Sequence, residues 1–347
     1  MNLRRLANIA ELSPSAVSLA LRGSAKVSKA TRERVQRLAK EHGYEIDARV
    51  ASIMRELRRP REGRTRGCFG VMSLYDVPNP WEQSVHLRRI FSSMESRARE
   101  IGYRLEPFWL GAPGMTRRRF RGILDARGIE GLLCFGSPRL DDAFPGELDH
   151  FAVVTVGLSI RTPLHRVTSH FYNDTITALD RLHALGYRRP GLVIGKSEDL
   201  RTSHVHVAAY LGWCDRDLGA GGALPVLYVD QVEEAPLMTW LRTERPDALV
   251  FIHLSDRIND LRGVLAANHV RVPADVGLAV LSHILEGTGL SGMQQNQRLM
   301  GAWSVELLAA RIANNDLGLP REPRIEMVES TWVKGDTLRA RRPRTAG

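Results

Sequence analysis

The side chains with the clearest chemical potential are the lysines and arginines of the first 66 residues. This segment holds sixteen Lys and Arg against seven Asp and Glu, so it carries nine of the ten net positive charges of the 347-residue chain. A basic segment joined to a nearly neutral remainder is typical of proteins that bind nucleic acid. Charge alone leaves a solvated basic tail as an equal alternative.

Residues that serve catalysis or metal binding lack the spacing that those functions need. The three cysteines, Cys68, Cys134 and Cys214, are far apart and form no CxxC pair, which argues against a zinc module and favours a reducing compartment. No GxSxG, P-loop, strand-linked GxGxxG or zinc-protease motif is present. We therefore predict a protein that is not an enzyme and has no cofactor.

The chain shows no signal for a membrane. No apolar run approaches the ~20 residues that span a bilayer, and the N-terminus, MNLRRLANIAEL, lacks the apolar core of a signal peptide. We expect a cytoplasmic protein with no membrane partner.

Three short helices are predicted to carry the basic charge. Apolar residues recur at helical spacing over residues 3–10. Ser13 is a favourable N-cap and Pro14 suits a first helical position, so a second helix begins there. Ser28 caps a third helix, which Gly43 ends. Two short helices joined by a tight turn form a helix-turn-helix unit. The residues expected to pack between the helices are Ala7, Leu12, Val17, Ala20, Val35 and Leu38.

The run LRRLANIAELSPSAVSLALRG, followed by VSKATRERVQRLAKEHGY, resembles the headpiece of the lactose-repressor (LacI/GalR) family. The resemblance implies that the second helix enters the major groove of operator DNA and touches base edges with the residues at its start. The implied base readers and their neighbours are Pro14, Ser15, Ala16, Ser18 and Leu19. The implied phosphate contacts, which set register without reading sequence, are Ser13, Ser18, Arg22, Lys26 and Ser28.

Two residues of the head depart from the family pattern. Glu11 stands where the family usually has a turn glycine, and Leu19 stands where an arginine is common. Losing that arginine removes a potential contact to guanine, whereas Leu19 can contact a thymine methyl group. The segment RVASIM resembles the family's RVAxxL, which folds on the DNA and inserts its leucine into the minor groove. Met54, with Ala51 at i−3, is the implied wedge, and an ordinary linker is the alternative.

The remainder of the chain alternates short apolar strands with helices, which predicts parallel, doubly wound sheets. The pattern begins at Cys68 and starts a second time near Pro190, as in the two-lobed periplasmic sugar-binding proteins, which hold ligand between their lobes. The resemblance to the repressor family continues here in REIGYRLEPFW, DARGIEGLLCF, RLHALGYRRPGLV, RPDALVF and VPADVGLAVL.

The predicted fold is an N-terminal all-α helix-turn-helix headpiece followed by an α/β, two-lobed, periplasmic-binding-protein-like body with doubly wound parallel sheets. We predict three parts. Residues 1–46 form the DNA-binding domain, residues 47–66 the hinge helix and linker, and residues 67–340 the effector-binding and dimerisation domain.

The resemblance also implies an effector site at the strand ends that face the cleft. There the family commonly has charged groups, and this sequence has histidines instead. Two aromatic rings after the first strand could stack on a sugar face. The implied effector residues are Tyr75, Trp81, His170, His206, His253, Ser282 and His283. A structural role is the alternative for each histidine. Several histidines in one cleft also make metal sensing an alternative, although no HxxxH or HExxH spacing is present.

The predicted function is a homodimeric transcription regulator, most simply a repressor, whose affinity for a palindromic DNA operator is controlled by a sugar-like small molecule. We expect the effector not to be a simple sugar held by an Asp/Arg pair. The dimer face is expected on the helix around residues 84–101 and its second-lobe counterpart. The alternatives are a solute-binding protein with no DNA role and a metal- or pH-sensing regulator.

Overall fold

The computed structural model describes residues 3–21, 24, 27–42, 67–137, 139, 143–252, 257–282 and 287–341. The head contains three helices, which are α1 (Leu3–Ile9), α2 (Pro14–Leu21) and α3 (Lys29–Glu41). Two hydroxyls cap helices as the sequence predicts. Ser13 Oγ accepts from the Ala16 N–H at 3.2 Å, and Ser28 Oγ accepts from the Thr31 N–H at 3.2 Å.

The core of the head fills the space between the three helices. Its buried members are Leu6, Ala7, Ala10, Val17, Ala20, Val35 and Ala39, and its half-buried members include Leu12 and Leu38. All six apolar residues that the sequence predicts for this core are among these two sets. Leu12 lies in the turn between α1 and α2, and the 3.6-residue period puts the other five on one face of their helices.

The body follows in chain order. Its first part comprises β1 (Gly67–Ser73), α4 (Pro80–Gln83), α5 (Val85–Glu100), β2 (Tyr103–Trp109), α6 (Arg117–Ala126), β3 (Ile129–Cys134), β4 (Ala152–Val156) and β5 (His165–Ser169). Its second part comprises α7 (Phe171–Ala184), β6 (Pro190–Ile194), α8 (Lys196–Arg201), α9 (Val205–Leu218), β7 (Leu227–Tyr228), α10 (Glu234–Glu244), β8 (Ala248–Ile252), α11 (Ile258–Ala267), β9 (Gly277–Ser282), β10 (Ser291–Gln294), α12 (Gln297–Ala313), β11 (Ile325–Val328) and β12 (Thr331–Val333).

The strands form two six-stranded sheets, one in each lobe. The first-lobe sheet has the order β11-β5-β4-β3-β1-β2, and all neighbouring strands run parallel. The second-lobe sheet has the order β12-β10-β9-β8-β6-β7, and only its edge pair β12–β10 is antiparallel. The predicted doubly wound parallel sheets are confirmed. The antiparallel edge strand of the second lobe was not predicted.

Both faces of each sheet are covered by apolar side chains. The first lobe has one cluster around Phe69 and Met94 and another around Phe120, and the second lobe likewise has two. All five residues of β8 are buried. A strand covered on both faces must be apolar throughout, which explains why the body's strands are continuous hydrophobic runs rather than alternating ones.

Three crossovers connect the lobes. The chain passes from β5 to α7 at His170, from β10 to α12 at residues 295–296, and from β11 to β12 at residues 329–330. After the second crossover, α12 packs against α5 in the first lobe. Gly301 allows this close approach, since a Cβ there would lie 2.4 Å from the Ile90 carbonyl oxygen. The cleft therefore lies between two lobes that are joined by three crossovers of the chain.

The described part of the chain contains no helix both long and apolar enough to cross a membrane.

Candidate DNA-binding head and effector cleft

Helix α2 carries the predicted base readers. Pro14, Ser15 and Ser18 lie on this helix, and Ala16 and Leu19 are half-buried there. Ser13 and Ser28 are exposed at the starts of α2 and α3, where their hydroxyls act as caps. The other predicted DNA contacts lie outside the described residues, and they are Arg22, Lys26, Ala51 and Met54.

Two arginines of α3 bind backbone carbonyls inside the head. Arg34 Nη2 donates to the Ala10 carbonyl at 2.9 Å, at the end of α1. Arg32 Nη1 donates to the Ser24 carbonyl at 3.0 Å and the Val27 carbonyl at 2.9 Å, in the loop before α3. Part of the basic charge that composition assigned to phosphate therefore holds the three helices together.

The turn between α1 and α2 has a left-handed residue. Glu11 has a φ of 51°, in the region that favours glycine. The turn is closed by hydrogen bonds from the Glu11 N–H to the Asn8 carbonyl at 3.1 Å and from the Leu12 N–H to the Ala7 carbonyl at 3.0 Å. The left-handed backbone explains the glycine that the resembled family usually has at this position. This chain has the left-handed conformation at a glutamate, whose Cβ atom makes it less favourable.

A cavity of about 320 Å³ lies between the lobes. Its walls come from the carboxyl ends of parallel strands, which is where open α/β sheets bind ligands. The first lobe lines it with Tyr75, Ser84, His86, Leu87, Ile90, Phe135, Gly136, Val156, Gly157, Leu158 and Ser159. The second lobe and the crossovers line it with Phe171, Glu198, Arg201, Thr202, Gln295 and Met300.

The two charged residues of this cavity, Glu198 and Arg201, lie one helical turn apart on α8. Glu198 is buried, and its Oε2 accepts a hydrogen bond from Ser197 Oγ at 2.8 Å. A carboxylate, which accepts hydrogen bonds, beside a guanidinium, which donates them, can bind the hydroxyl groups of one ligand in both ways. The sequence reasoning missed this pair. The available signal was its position directly after β6, the first strand of the second lobe.

Two arginines also connect the rims of the cleft. Arg201 Nη1 donates to the Ser137 carbonyl of the first lobe. Arg161 Nη2, from the first lobe, donates to the Leu200 carbonyl of α8 at 3.2 Å. Helix α8 is therefore the part of the second lobe that contacts both the cavity and the opposite rim.

The two aromatic residues predicted after the first strand have different positions. Tyr75 lines the cavity, and burial raises the pKa of its phenol while the Arg201 charge lowers it. Trp81 is instead only 5% exposed and stacks on Phe91, with ring centroids 4.3 Å apart and planes 2° apart. Its ring also lies 5.4 Å from that of Phe135. Because α4 turns this indole into the core, Trp81 supports the cavity wall and does not line it.

The predicted histidines are not brought together in the cavity. His170 lies just before α7, with Nδ1 2.8 Å from Glu329 Oε1. His206 is buried on α9, with Nδ1 2.8 Å from Thr175 Oγ1 and its ring 5.2 Å from that of Phe171. Burial lowers the pKa of His206 to about 3, so its ring is neutral. These placements differ from the expectation of an effector contact because both side chains are committed to neighbouring residues.

The remaining predicted effector residues are described in part or not at all. Ser282 ends β9, and His253 and His283 lie outside the described residues. Among the described residues, the histidine that lines the cavity is His86, which the sequence did not single out. Within the described residues, no group of three or more His, Cys, Asp or Glu side chains is placed to hold a metal ion.

Comparisons with known proteins agree with this division into a head and a body. Residues 2–47 match the family described as bacterial regulatory proteins, lacI family, and residues 179–338 match the periplasmic binding protein-like domain. The HTH-type transcriptional repressor CytR of Escherichia coli (strain K12) is 26% identical over 204 residues. This alignment covers 58% of the chain and 55% of the repressor, so the chain spans about half the length of the curated relative that it matches.

Two solved structures share the fold over nearly the whole chain. A complex of the transcriptional regulator CelR with cellobiose is 24% identical, covers 97% of this chain and 99% of its own, and has a TM-score of 0.60. The lac repressor dimer bound to operator and the anti-inducer ONPF is 19% identical, covers 97% and 98%, and has a TM-score of 0.58. At these identities the likeness shows the arrangement of head and lobes.

Proposed function

We propose that this chain, whose residues 2–47 match the family described as bacterial regulatory proteins, lacI family, is an operator-binding repressor whose affinity for DNA is controlled by a small molecule in the cleft. The observation that carries this proposal is the head. Its second helix begins at a capped, tight turn, and the three helices have their own apolar core. Such a unit places the start of its second helix in the major groove.

The proposed readers of the operator are the residues at the start of α2, with Leu19 in place of a charged base contact. An apolar side chain at this position favours a thymine methyl group over guanine. Met54 and Ala51 are proposed to enter the minor groove between base pairs. The proposed phosphate contacts include Arg22 and Lys26, and they set the register of the head on the DNA.

The proposed effector is a small ring-shaped molecule with several hydroxyl groups. The Glu198 and Arg201 pair would bind hydroxyls, and Tyr75, Phe135 and Phe171 offer ring faces for stacking. The related regulator CelR was solved with cellobiose, which supports a sugar-like ligand here. The expectation that the effector is not a simple sugar held by an Asp/Arg pair stays a prediction, and the charged pair proposed to bind the effector here is Glu198 and Arg201.

The proposed assembly is a homodimer in the cytoplasm, with two heads on one palindromic operator. The outer face of α5 and the start of α12 line an open groove of about 1070 Å³, on the helix that was expected to form the dimer face. A dimer joins two weak head contacts into one strong interaction by raising their effective concentration. The relatives are transcriptional regulators, and we propose no catalytic role.

Selection of bound sequences from a pool of random duplexes tests the DNA role. Purified full-length protein should enrich a palindrome whose half-sites are spaced for a two-fold dimer. A solute-binding protein without a DNA role would enrich nothing beyond nonspecific duplexes, and that result would reject the proposal. A thermal-shift screen against sugars, oligosaccharides and nucleosides then identifies the effector, since a ligand that binds the folded state raises the unfolding temperature.

A further inference from the structure

Two of the three crossovers between the lobes are tied together by side chains. His170 Nδ1, at the β5–α7 crossover, lies 2.8 Å from Glu329 Oε1, at the β11–β12 crossover. Asn173 Nδ2 donates to Glu329 Oε2 at 2.8 Å. Ser330 Oγ donates to Asp174 Oδ2 at 2.8 Å. We call these five residues the hinge cluster. It lies where a change in side-chain contacts can alter the angle between the lobes.

Asp174 is the buried member of the hinge cluster. The residue is 2% exposed, and its Oδ1 is buried without a hydrogen-bond partner among the described residues. A carboxylate in this environment is unfavourable, because its charge has lost water and has gained only the Ser330 hydroxyl. Burial accordingly raises the pKa of Asp174 from 3.8 to about 7, against the opposing effect of the Ser330 hydrogen bond.

The charged and titratable groups that face Asp174 come from each neighbouring element. Glu329, from the β11–β12 crossover, raises the pKa of Asp174, and His170, from the β5–α7 crossover, lowers it. On α9, which packs against α7, His206 contacts the neighbouring Thr175 and is neutral because burial lowers its pKa to about 3. On α7 itself, Arg181 lies over the Trp332 ring of β12 at 5.9 Å. The charged groups that shift the pKa of Asp174 are thus Glu329 and His170, and both belong to the hinge cluster.

We propose that Asp174 is a proton-binding site that sets the relative position of the two lobes. In its neutral form the buried carboxyl of Asp174 carries no charge and accepts from the Ser330 hydroxyl, so the two crossovers stay tied. Loss of the proton places a negative charge at a buried position, beside the exposed carboxylate of Glu329. The cluster relieves this charge by separating the crossovers and admitting water to Asp174. The inference does not depend on operator binding or on the identity of the effector.

The direction of the pH effect follows from the raised pKa. The folded protein retains the proton at pH values where the unfolded chain has lost it. The stabilisation from the neutral carboxyl is therefore complete below about pH 4 and is lost as the pH rises through about 7. The tied hinge is accordingly the low-pH form, and the opened hinge is the high-pH form.

The test measures the distance between spin labels on the two lobes as the pH is changed. The three native cysteines are buried, so labels attach to Arg119→Cys on α6 and Thr243→Cys on α10, two exposed positions. The labelled full-length chain is mixed with excess unlabelled chain, so that each dimer carries one labelled copy. The distance is recorded from about pH 6 to about pH 8.5, across the expected transition.

We expect a one-proton change in the distance with its midpoint at about pH 7. Asp174→Asn, which cannot lose a proton, should keep the low-pH distance throughout. Asp180→Asn removes an exposed carboxylate from the same helix and should titrate as the parent does. If Asp174→Asn does not fold, Glu329→Gln gives the test, since loss of its charge should move the midpoint to lower pH. A parent distance that does not change with pH, or an Asp174→Asn distance that follows the parent, would overturn the proposal.

Discussion

At the scale of single residues, Glu11, Glu198 and Arg201 show that the backbone fixes a position independently of the side chain found there. The backbone at Glu11 is left-handed, and that conformation belongs to the turn rather than to the glutamate. Glu198 and Arg201 owe their position to α8, which brings both to the cavity. In each case the fold defines the position. The residue type then decides the consequence, which is backbone strain at Glu11 and charge in the cavity at Glu198 and Arg201.

Replacement of Glu11 by glycine should stabilise the head. Glycine adopts a left-handed conformation without the steric conflict of a Cβ atom, so Glu11→Gly should raise the free energy of unfolding by about 1 kcal/mol. Circular dichroism of the full-length chain during thermal unfolding measures the change. Glu33→Gly is the control, because it puts glycine inside α3 and should destabilise by about 1 kcal/mol. A Glu11→Gly variant less stable than the parent would contradict this account of the turn.

Loss of either charge from the cavity should weaken effector binding. A hydrogen bond to a charged group contributes about 2 kcal/mol, so Arg201→Met and Glu198→Gln should each raise the Kd roughly 30-fold. Calorimetry with the ligand found by the thermal-shift screen measures the change. Lys196→Met is the matched control, since this residue is exposed on the same helix and does not line the cavity. Equal affinity in all three variants would place the effector elsewhere.

At the scale of elements, the packing of α12 on α5 determines the shape of the first lobe. These helices are about 200 residues apart in sequence, and Ser93 Oγ on α5 donates to the Arg298 carbonyl of α12 at 2.6 Å. Gly301 faces α5 with no space for a side chain. Helix α5 is therefore fixed by α12, and residues of both helices line the groove proposed for the dimer.

Glycines in two helices should respond in opposite directions to alanine. Gly301→Ala should lower the free energy of unfolding by about 2 kcal/mol, because the new Cβ would lie 2.4 Å from the Ile90 carbonyl oxygen. Gly212→Ala, in α9, meets no heavy atom within 4 Å and should raise it by about 0.5–1 kcal/mol. Chemical denaturation of both variants provides the measurement. If both variants raised the free energy of unfolding, helix propensity and not the close approach of α12 to α5 would control the stability at Gly301.

At the scale of the whole molecule, the lobes are connected by three crossovers and by contacts across the cleft rim. Arg161 and Arg201 donate across the rim in opposite directions, and the hinge cluster ties two of the crossovers. The proposed effector would contact α8 in this cavity and would therefore act on the rim contacts directly. A ligand that prefers one arrangement of the lobes shifts the population toward that arrangement, and this is how binding in the cleft can reach the heads.

A bulky residue on the outer face of α5 should separate the proposed dimer. Ser92→Trp adds an indole to the exposed groove, so the chain should become a monomer in sedimentation experiments. Operator affinity should then fall at least about 100-fold, because the second head loses its high effective concentration. Arg118→Trp, at an exposed position on α6, is the matched control and should remain dimeric. A dimeric Ser92→Trp variant would exclude this face.

The amino-acid sequence alone predicted the helices of the head and the alternation of short apolar strands with helices that makes the body an α/β fold. These features follow from local patterns, such as the serine caps before α2 and α3 and the apolar runs of β6 and β8, which depend only on neighbours along the chain. The family resemblance extended that reading to DNA contacts, several of which lie outside the described residues.

Only the tertiary structure decided which side chains meet. Trp81 lies in the core, and His206 is hydrogen-bonded to Thr175. Glu198 and Arg201 line the cavity. The packing of α4, α9 and α8 determines these positions. The hinge cluster is the clearest case. Asp174 and Ser330 are 156 residues apart, and no periodicity in a sequence reports a contact between two crossovers. Burial and charge at such a point depend on the closed fold, so the proton site at the hinge became visible only there.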